Sequence, residues 1–207
     1  MHKQIFGVVV SLLILFSAVN AQRAEVTVNL NEAFFDAFLD AAIQNFGAPE
    51  AAISAGDDSA CREKIKILRE TDGVRTAVRF REGKIFVPLA FSGSYAPPFI
   101  GCVDFAGWAE TNLDLEYDVN AQRLIGRVRV LNVHLNGTAG VGGTVIAKLL
   151  QRSVDSKLNP IEIMRLDKLS FAVPVQNGGS LRMKAVSVRP EIGVGSLSVH
   201  IGYEFAK

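Results

Sequence analysis

The apolar residues of this chain change their spacing along the sequence, and this change limits the fold more than any other feature. Around 34–46 and again around 145–158, apolar side chains recur every three to four residues, the period of a helix. Through most of the remainder they alternate with polar side chains, as in strands with one buried face. The pattern predicts an α+β fold in which a strongly curved antiparallel β-sheet wraps around two amphipathic helices.

The first helical segment predicts a helix with one aromatic and one acidic face. The apolar stripe consists of Phe34, Phe35, Phe38, Leu39, Ala42, Ile43 and Phe46. The opposite side, expected to face water, carries Glu32, Asp36, Asp40 and Gln44. Asn29 with Glu32 three positions later is typical of a capping box, and Gly47 ends the helix. The aromatic stripe is expected to pack against the sheet, because four phenylalanines on one face can bury a large apolar surface.

The second helical segment follows a glycine-rich run. Its apolar stripe consists of Val145, Ile146, Leu149, Leu150, Val154 and Leu158. Asn159-Pro160 ends this helix. The run before it, from Gly137 to Thr144, matches the P-loop pattern except that Gly143 replaces the lysine. Since a P-loop also needs a parallel sheet, we interpret the run as a flexible corner between a strand and the helix.

Two turn signals, Asp72-Gly73 and Glu82-Gly83, predict an antiparallel meander between Ile65 and Tyr95. Its alternation places one set of side chains inward, namely Val74, Thr76, Val78 and Phe80. The outer face is expected to be basic, with Arg75, Arg79 and Arg81. Pro88 inside the third strand indicates an edge or a bulge.

A second pair of strands carries matching charges. Asp114, Glu116 and neighbouring acids alternate with apolar residues, and Arg127 and Arg129 on the following strand are expected to lie opposite them. The alternation slips at Val130-Leu131, which predicts a β-bulge. Three further strands are expected near 169–175, 182–188 and 197–205.

The N-terminus has the form of a secretory signal peptide. Lys3 precedes an apolar run from Ile5 to Leu15, and small residues lead to cleavage after Ala21. The mature protein is therefore expected to be secreted or periplasmic. It comprises one α+β domain over 22–207, with a flexible Ala-, Gly- and Asp-rich loop over 48–60.

Two cysteines lie in the mature part of the chain. In an oxidising compartment Cys61 and Cys102 are expected to form a disulfide, with two buried free thiols as the alternative. On the chain-entropy model a bridge over about 40 residues contributes about 3 to 4 kcal/mol. No second Cys or His lies at ligand spacing to either cysteine, so no metal site is predicted.

The sequence contains no catalytic motif, and no cofactor is predicted. His134 and His200 are both expected on outward-facing strand positions, and no G-x-S-x-G elbow accompanies them. A net charge of +1 gives no indication of nucleic acid as a partner. Asn136 begins an N-glycosylation sequon whose use depends on the source organism.

The order of these elements resembles the TULIP superfamily, the tubular lipid-binding proteins. The similar stretches are "VNLNEAFFDAFLDAAI", "LLQRSVDSKLNPIEI" and "LSVHIGYEF", and with the strands between them they cover most of the mature chain. The resemblance implies a curved sheet wound around a long helix, with an apolar tunnel for acyl chains or another hydrophobic ligand.

The first functional hypothesis is a non-enzymatic exported protein that binds a lipid or another hydrophobic molecule in an apolar cavity between sheet and helices. Such a ligand is compatible with peripheral contact with a membrane. The side chains expected to line or border the cavity are Phe34, Phe38, Leu39, Ile43, Leu149 and Leu150. The second hypothesis is an envelope or secreted protein-interaction module with a filled core, whose partner is unknown. A hydrolase is the third.

Overall fold

The computed structural model describes residues 23–52, 63–96, 101–136, 143–176 and 178–206. The leader and its cleavage site therefore lie outside the described residues, and they remain predictions. The helices are α1 (Glu32–Phe46), α2 (Gly143–Lys157) and the short α3 (Leu166–Leu169). The strands are β1 (Arg23–Asn31), β2 (Glu50–Ala52), β3 (Lys64–Leu68), β4 (Glu70–Thr71), β5 (Val74–Arg75), β6 (Arg79–Arg81), β7 (Lys84–Phe86), β8 (Leu89–Tyr95), β9 (Val103–Asp118), β10 (Arg123–Leu135), β11 (Ile161–Arg165), β12 (Phe171–Val175), β13 (Gly179–Ile192) and β14 (Ser196–Ala206).

The described strands form two main sheets and one separate hairpin. The four-stranded sheet has the order β1-β14-β13-β12, and the larger sheet has the order β11-β10-β9-β8-β3-β2. The β6–β7 hairpin joins the larger sheet because β7 also pairs with β9. Adjacent strands run antiparallel in every described pair. The chain is therefore an α+β protein with curled antiparallel sheets, as the alternating pattern predicts.

The two predicted hairpin turns are confirmed. Asp72 and Gly73 link β4 to β5, and Glu82 and Gly83 link β6 to β7, all four with positive φ. Two successive residues with positive φ give the turn the twist that antiparallel strands need. Asp-Gly and Glu-Gly suit these positions for this reason. Pro88 lies between β7 and β8, so it breaks the predicted strand in two, where an edge or a bulge was expected.

The longest strand pair, β9 with β10, confirms the predicted charge match and bulge. Arg129 donates to Asp114 at 2.8 Å and Arg127 to Glu116 at 3.3 Å across the strands. The register shifts between Val130 and Asn132, so Leu131 is the extra residue.

Two apolar clusters fill the interior. One lies between the four-stranded sheet and the β6–β7 side of the larger sheet, and its buried members include Phe80, Ile85, Leu124, Val199, Ile201 and Tyr203. The other lies between α2 and the opposite half of the larger sheet, and its buried members are Ile65, Phe91, Ala109, Val133, Ile146 and Leu150. The strands β9 and β10 are long enough to contribute side chains to both clusters, so they connect the two halves of the molecule.

The helix α2 packs its predicted stripe on the sheet. Ile146, Leu150 and Val154 are buried, and the helix ends at Lys157, before Asn159. The Asn159 side chain accepts a hydrogen bond from the backbone N–H of Val128 and donates one to its carbonyl oxygen, both at 2.8 Å. The Asn159 amide thus makes the two hydrogen bonds that a strand beside β10 would make. It fixes the C-terminal end of α2 to β10.

The orientation expected for α1 is wrong. None of its side chains is buried, and Phe34, Phe38 and Phe46 are 50%, 60% and 90% exposed. Phe35 alone of the four phenylalanines packs against the first core cluster, with its ring centroid 5.5 Å from that of Phe80. The acidic side, expected to face water, instead faces the arginines of the meander.

Ion pairs explain this orientation. Asp36 accepts two hydrogen bonds from Arg79, at 3.1 and 3.2 Å, and Asp40 accepts one from Arg69. Arg75 lies 3.6 Å from Asp40. Of the three arginines expected on a solvent-facing surface, Arg79 is therefore covered by α1, because its charge is best neutralised by the acids of the helix, whereas Arg75 and Arg81 are exposed as expected.

Two smaller expectations also need correction. The N-cap of α1 is Asn31, whose side chain accepts a hydrogen bond from Phe34 N at 2.9 Å, while Asn29 lies within β1. The segment expected as a loop over 48–60 contributes β2, paired with β3 over Glu50–Ala52, and residues 53–60 lie outside the described residues. The strand β11 and the helix α3 were not predicted. Each is only four or five residues long, which gives little periodicity to detect.

Candidate functional site

A large cavity lies where the first turn of α2 meets the larger sheet. Its volume is about 790 Å³. Strands β2, β3, β8 and β9, the end of β10, and α2 all contribute side chains to its wall. A concave space of this size falls in the range that proteins use for small hydrophobic molecules.

The wall of this cavity is mostly apolar. Its apolar side chains are Tyr95, Val103, Phe105, Ala106, Leu135, Val145 and Ile146. Three of them, Phe105, Leu135 and Ile146, also belong to or pack against the core cluster beneath α2. The wall therefore continues that core to the surface, where the cavity is open to solvent.

A glycine gives the aromatic part of the wall its shape. Gly93 on β8 is paired with Phe105 on β9, and a Cβ atom at Gly93 would lie 2.6 Å from Cζ of the Phe105 ring. Any side chain at residue 93 would therefore displace the ring. The absence of a side chain lets Phe105 lie across β8 and line the cavity.

The polar part of the wall is balanced in charge. Lys64 Nζ lies 3.3 Å and Lys66 Nζ lies 3.6 Å from the two carboxylate oxygens of Glu50, and Asp104 is the second acid in the wall. Ser92, Ser94 and Asn136 add uncharged polar groups. Two cations thus face two anions, so the wall attracts neither sign of charge strongly.

The six side chains expected at the ligand site do not lie together. Leu150 is buried in the core cluster beneath α2 and Leu149 packs against it, next to the Ile146 that lines the cavity. The four from α1 lie on a different part of the molecule, with Phe34 and Phe38 exposed and Leu39 and Ile43 half-buried. None of the six is among the described residues of the cavity wall. The helix that borders the cavity is α2 alone.

The exposed side of α1 is a second surface of note. Its solvent-facing residues are Ala33, Phe34, Ala37, Phe38, Ala41, Gln44, Asn45 and Phe46. This side carries no charge, because all three acids of the helix face the arginines. The hydrogen bond from Arg69 lowers the pKa of the Asp40 carboxyl below its usual value, so the pair stays ionised at neutral pH.

His134 and His200 both lie on strands among polar neighbours. The His134 ring stacks on Trp108 with centroids 4.0 Å apart. His200 Nδ1 lies 3.0 Å from both Glu25 and Thr27, and Nε2 lies 3.3 Å from Glu191. Thr27 is the only hydroxyl that contacts either histidine in the part of the chain that the structure describes. It belongs to the regular ladder between β1 and β14, and that setting gives no support to a serine-hydrolase type of site.

The described residues give no evidence for the other candidate sites. Cys61 lies outside the described ranges, so the bridge to Cys102 remains a prediction, as does the fate of the glycine-rich run over 137–142. No cluster of three or more metal-ligating side chains is found within the described ranges. Every helix in the described part of the chain is too short or too polar to cross a lipid bilayer.

Comparison with known proteins adds no assignment. No family model matches the chain, and no curated protein matches it. The likeness to the TULIP superfamily therefore rests on the order of helices and strands, and it stays a prediction.

The sequence reasoning missed the side chains that form the cavity. Val103, Phe105, Gly107 and Ala109 continue the alternation of β9 toward its N-terminal end, and this was the available signal. Gly93 between two serines was a second signal, since glycine inside a strand often marks a close approach.

Proposed function

We propose that this is an exported, non-enzymatic protein that binds a lipid or another hydrophobic molecule in the cavity between α2 and the larger sheet. The observation that carries the proposal is the cavity of about 790 Å³, whose wall is mostly apolar. An apolar concave surface open to water is unfavourable unless something covers it, since each exposed Å² costs about 25 cal/mol. A hydrophobic ligand removes this cost.

The architecture that we propose is TULIP-like, with the curled sheet wrapped around an apolar stripe of α2. Ile146 and Leu150 support it, because they are buried in one cluster with Phe91 and Ala109 of the larger sheet. The part played by α1 differs from the TULIP-derived expectation, because its apolar side faces outward. We place the acyl chain beside α2 only.

The charges of the wall suggest which end of the ligand lies where. The apolar residues Phe105, Leu135 and Ile146 border the core, so the hydrocarbon part belongs there. The polar part of the ligand would lie near Glu50 and Lys64. Because two acids balance the two lysines, an uncharged or zwitterionic head group fits this region better than an anionic one.

A protein-interaction module is the second candidate, and the exposed side of α1 favours it. Phe34 and Phe38 lie on an uncharged helix face, which is a common composition for a surface that meets another molecule. The same face is compatible with peripheral contact with a lipid bilayer. This candidate does not need the cavity, and so the two can be tested separately.

Native mass spectrometry of protein purified from its own host tests the ligand hypothesis. We expect wild-type protein to carry a hydrophobic adduct, and the protein stripped of lipid to bind a fluorescent fatty-alcohol or fatty-acid analogue. Val145→Asp should abolish both, because Val145 lines the cavity yet is 51% exposed, which lets the fold tolerate the charge.

The matched control is Leu158→Asp. Leu158 is 47% exposed, lies just beyond the other end of α2, and is not among the described cavity-lining residues. It should retain adduct and probe. Repeated purification without adduct, together with no probe binding by the stripped wild type, would reject the cavity as a ligand site.

A further inference from the structure

The first strand of the described chain is an open sheet edge. Strand β1 pairs with β14 on one side, and it is the terminal strand of its sheet among the described strands. Eight of its nine residues are exposed. Even Val26 and Val28, which pair with the buried residues Ile201 and Val199 and so share their apolar face, are 43% and 40% exposed. The strand thus overhangs the core.

The other terminal strands of the two main sheets, β2, β11 and β12, have only three to five residues. Strand β10 is covered by β11 up to Gly126, and beyond it the side chains of Asn159 and Gln151 bind the backbone of Val128 and Val130. Strand β12 carries Pro174, which cannot donate a ladder hydrogen bond. Strand β2 has three residues. Residues 184–192 of β13 extend past β12, but β1 is the longest terminal strand among the described strands, and unpaired edges of this length recruit other strands.

The charges on β1 do not protect its edge. Arg23 pairs with Glu204 at 3.1 Å, and Glu25 lies 3.0 Å from His200, both on the neighbouring strand β14. Charged side chains on an edge usually discourage association. Here they are already partnered within the same sheet, so an approaching strand would meet little net charge.

We propose that β1 pairs antiparallel with β1 of a second copy of this chain, about a two-fold axis at Thr27. The strand is complementary to itself in that register. On the apolar face Val26 lies opposite Val28 of the second copy, and Ala24 lies opposite Leu30. On the other face Arg23 lies opposite Asn31, and Glu25 lies opposite Asn29, so no like charges oppose each other.

This pairing explains the exposure of the valines. In the pair, four valine side chains form one row over the two-fold axis, and each is covered by the valine opposite. The two four-stranded sheets become one eight-stranded sheet, and the backbone N–H and C=O groups of both edges gain partners. A second copy satisfies both the backbone and the apolar row, whereas a lipid surface would cover only the row.

Sedimentation velocity over a concentration series tests the proposal. We expect wild-type protein to form a dimer. Val28→Lys should raise the dimer Kd on the order of tenfold or more, because a lysine would stand in the apolar row of each copy. The matched control is Val175→Lys, at a position 48% exposed on the opposite edge strand β12, which should dimerise as the wild type does.

A second variant keeps the test independent of any folding defect in Val28→Lys. Thr27→Cys places a thiol on the two-fold axis, where directly opposed residues in an antiparallel pair are close enough for a disulfide. It should form a covalent dimer under mild oxidation much faster than Val194→Cys, a 94% exposed position elsewhere. A wild-type monomer at every concentration, equal dimerisation of Val28→Lys and Val175→Lys, or equal cross-linking of the two cysteine variants would overturn the proposal.

Discussion

The helices α1 and α2 have the same length and similar apolar stripes, yet they meet the sheets in opposite ways. In α2 the stripe faces inward, with Ile146, Leu150 and Val154 buried. In α1 the charges face inward, and Phe38 lies largely in water. The apolar period of a helix therefore identifies its two faces but not which of them contacts the sheet.

The surface below each helix decides the difference. Beneath α2 the larger sheet presents Ile65, Phe91 and Val133, which only an apolar face can cover. Beneath α1 the meander presents Arg69 and Arg79, which are half-buried and need anions. A helix that placed its phenylalanines there would leave these guanidinium groups desolvated without partners, which costs more than exposing two aromatic rings.

The largest effect in this comparison is expected for Leu150→Ala. Leu150 is 4% exposed in the core beneath α2, so its truncation leaves a cavity and should lower the free energy of unfolding by about 2 to 5 kcal/mol. Denaturant unfolding followed by circular dichroism measures it. Leu158→Ala, just beyond the C-terminal end of the same helix and 47% exposed, should cost much less, and equal losses would show that α2 is not held by its buried stripe.

A smaller effect, confined to α1, is expected when the pH is lowered. Since the pKa of Asp40 is lowered in the folded protein, its contribution to holding α1 is present above the unfolded pKa of about 3.9 and is lost as the pH falls through the lower folded value. Hydrogen exchange, corrected for intrinsic rates, should show α1 losing protection across this range while α2 keeps its own. In Asp40→Asn this loss of protection with falling pH should be smaller. An unchanged loss would show that groups other than Asp40 cause it.

The smallest effect is expected for Phe38→Ser. Because this ring is 60% exposed, its removal should change the free energy of unfolding by no more than about 0.5 kcal/mol. The same denaturant titration measures it. A loss of several times that size would mean that the aromatic side of α1 is covered after all, as the sequence pattern first indicates.

The strands were predictable because their signals are local. Glycine after an acid at residues 73 and 83 defined the hairpins, and the slip at Val130 located the bulge. The alternating acids and arginines of β9 and β10 fixed which strands pair. Each of these inferences needs only neighbouring residues and the geometry of a strand.

The orientation of α1 and the position of the cavity were not predictable in this way. The first depends on which arginines lie beneath Asp36, more than forty positions away in the chain at Arg79. The second depends on Phe105 crossing Gly93 of another strand. Both are consequences of packing between distant segments, and single-sequence periodicity does not contain that information.

The Arg69 side chain has a consequence for the way this corner assembles. One guanidinium group donates to the Asp40 carboxylate and to the carbonyl oxygen of Thr76, while the Thr76 hydroxyl donates to Leu68 O and accepts from Ala90 N. Helix, hairpin and β8 are thereby linked through two side chains. The bonds to Asp40 and from Ala90 form only when α1 and β8 have reached the hairpin, so this region should form and melt as a single cooperative unit.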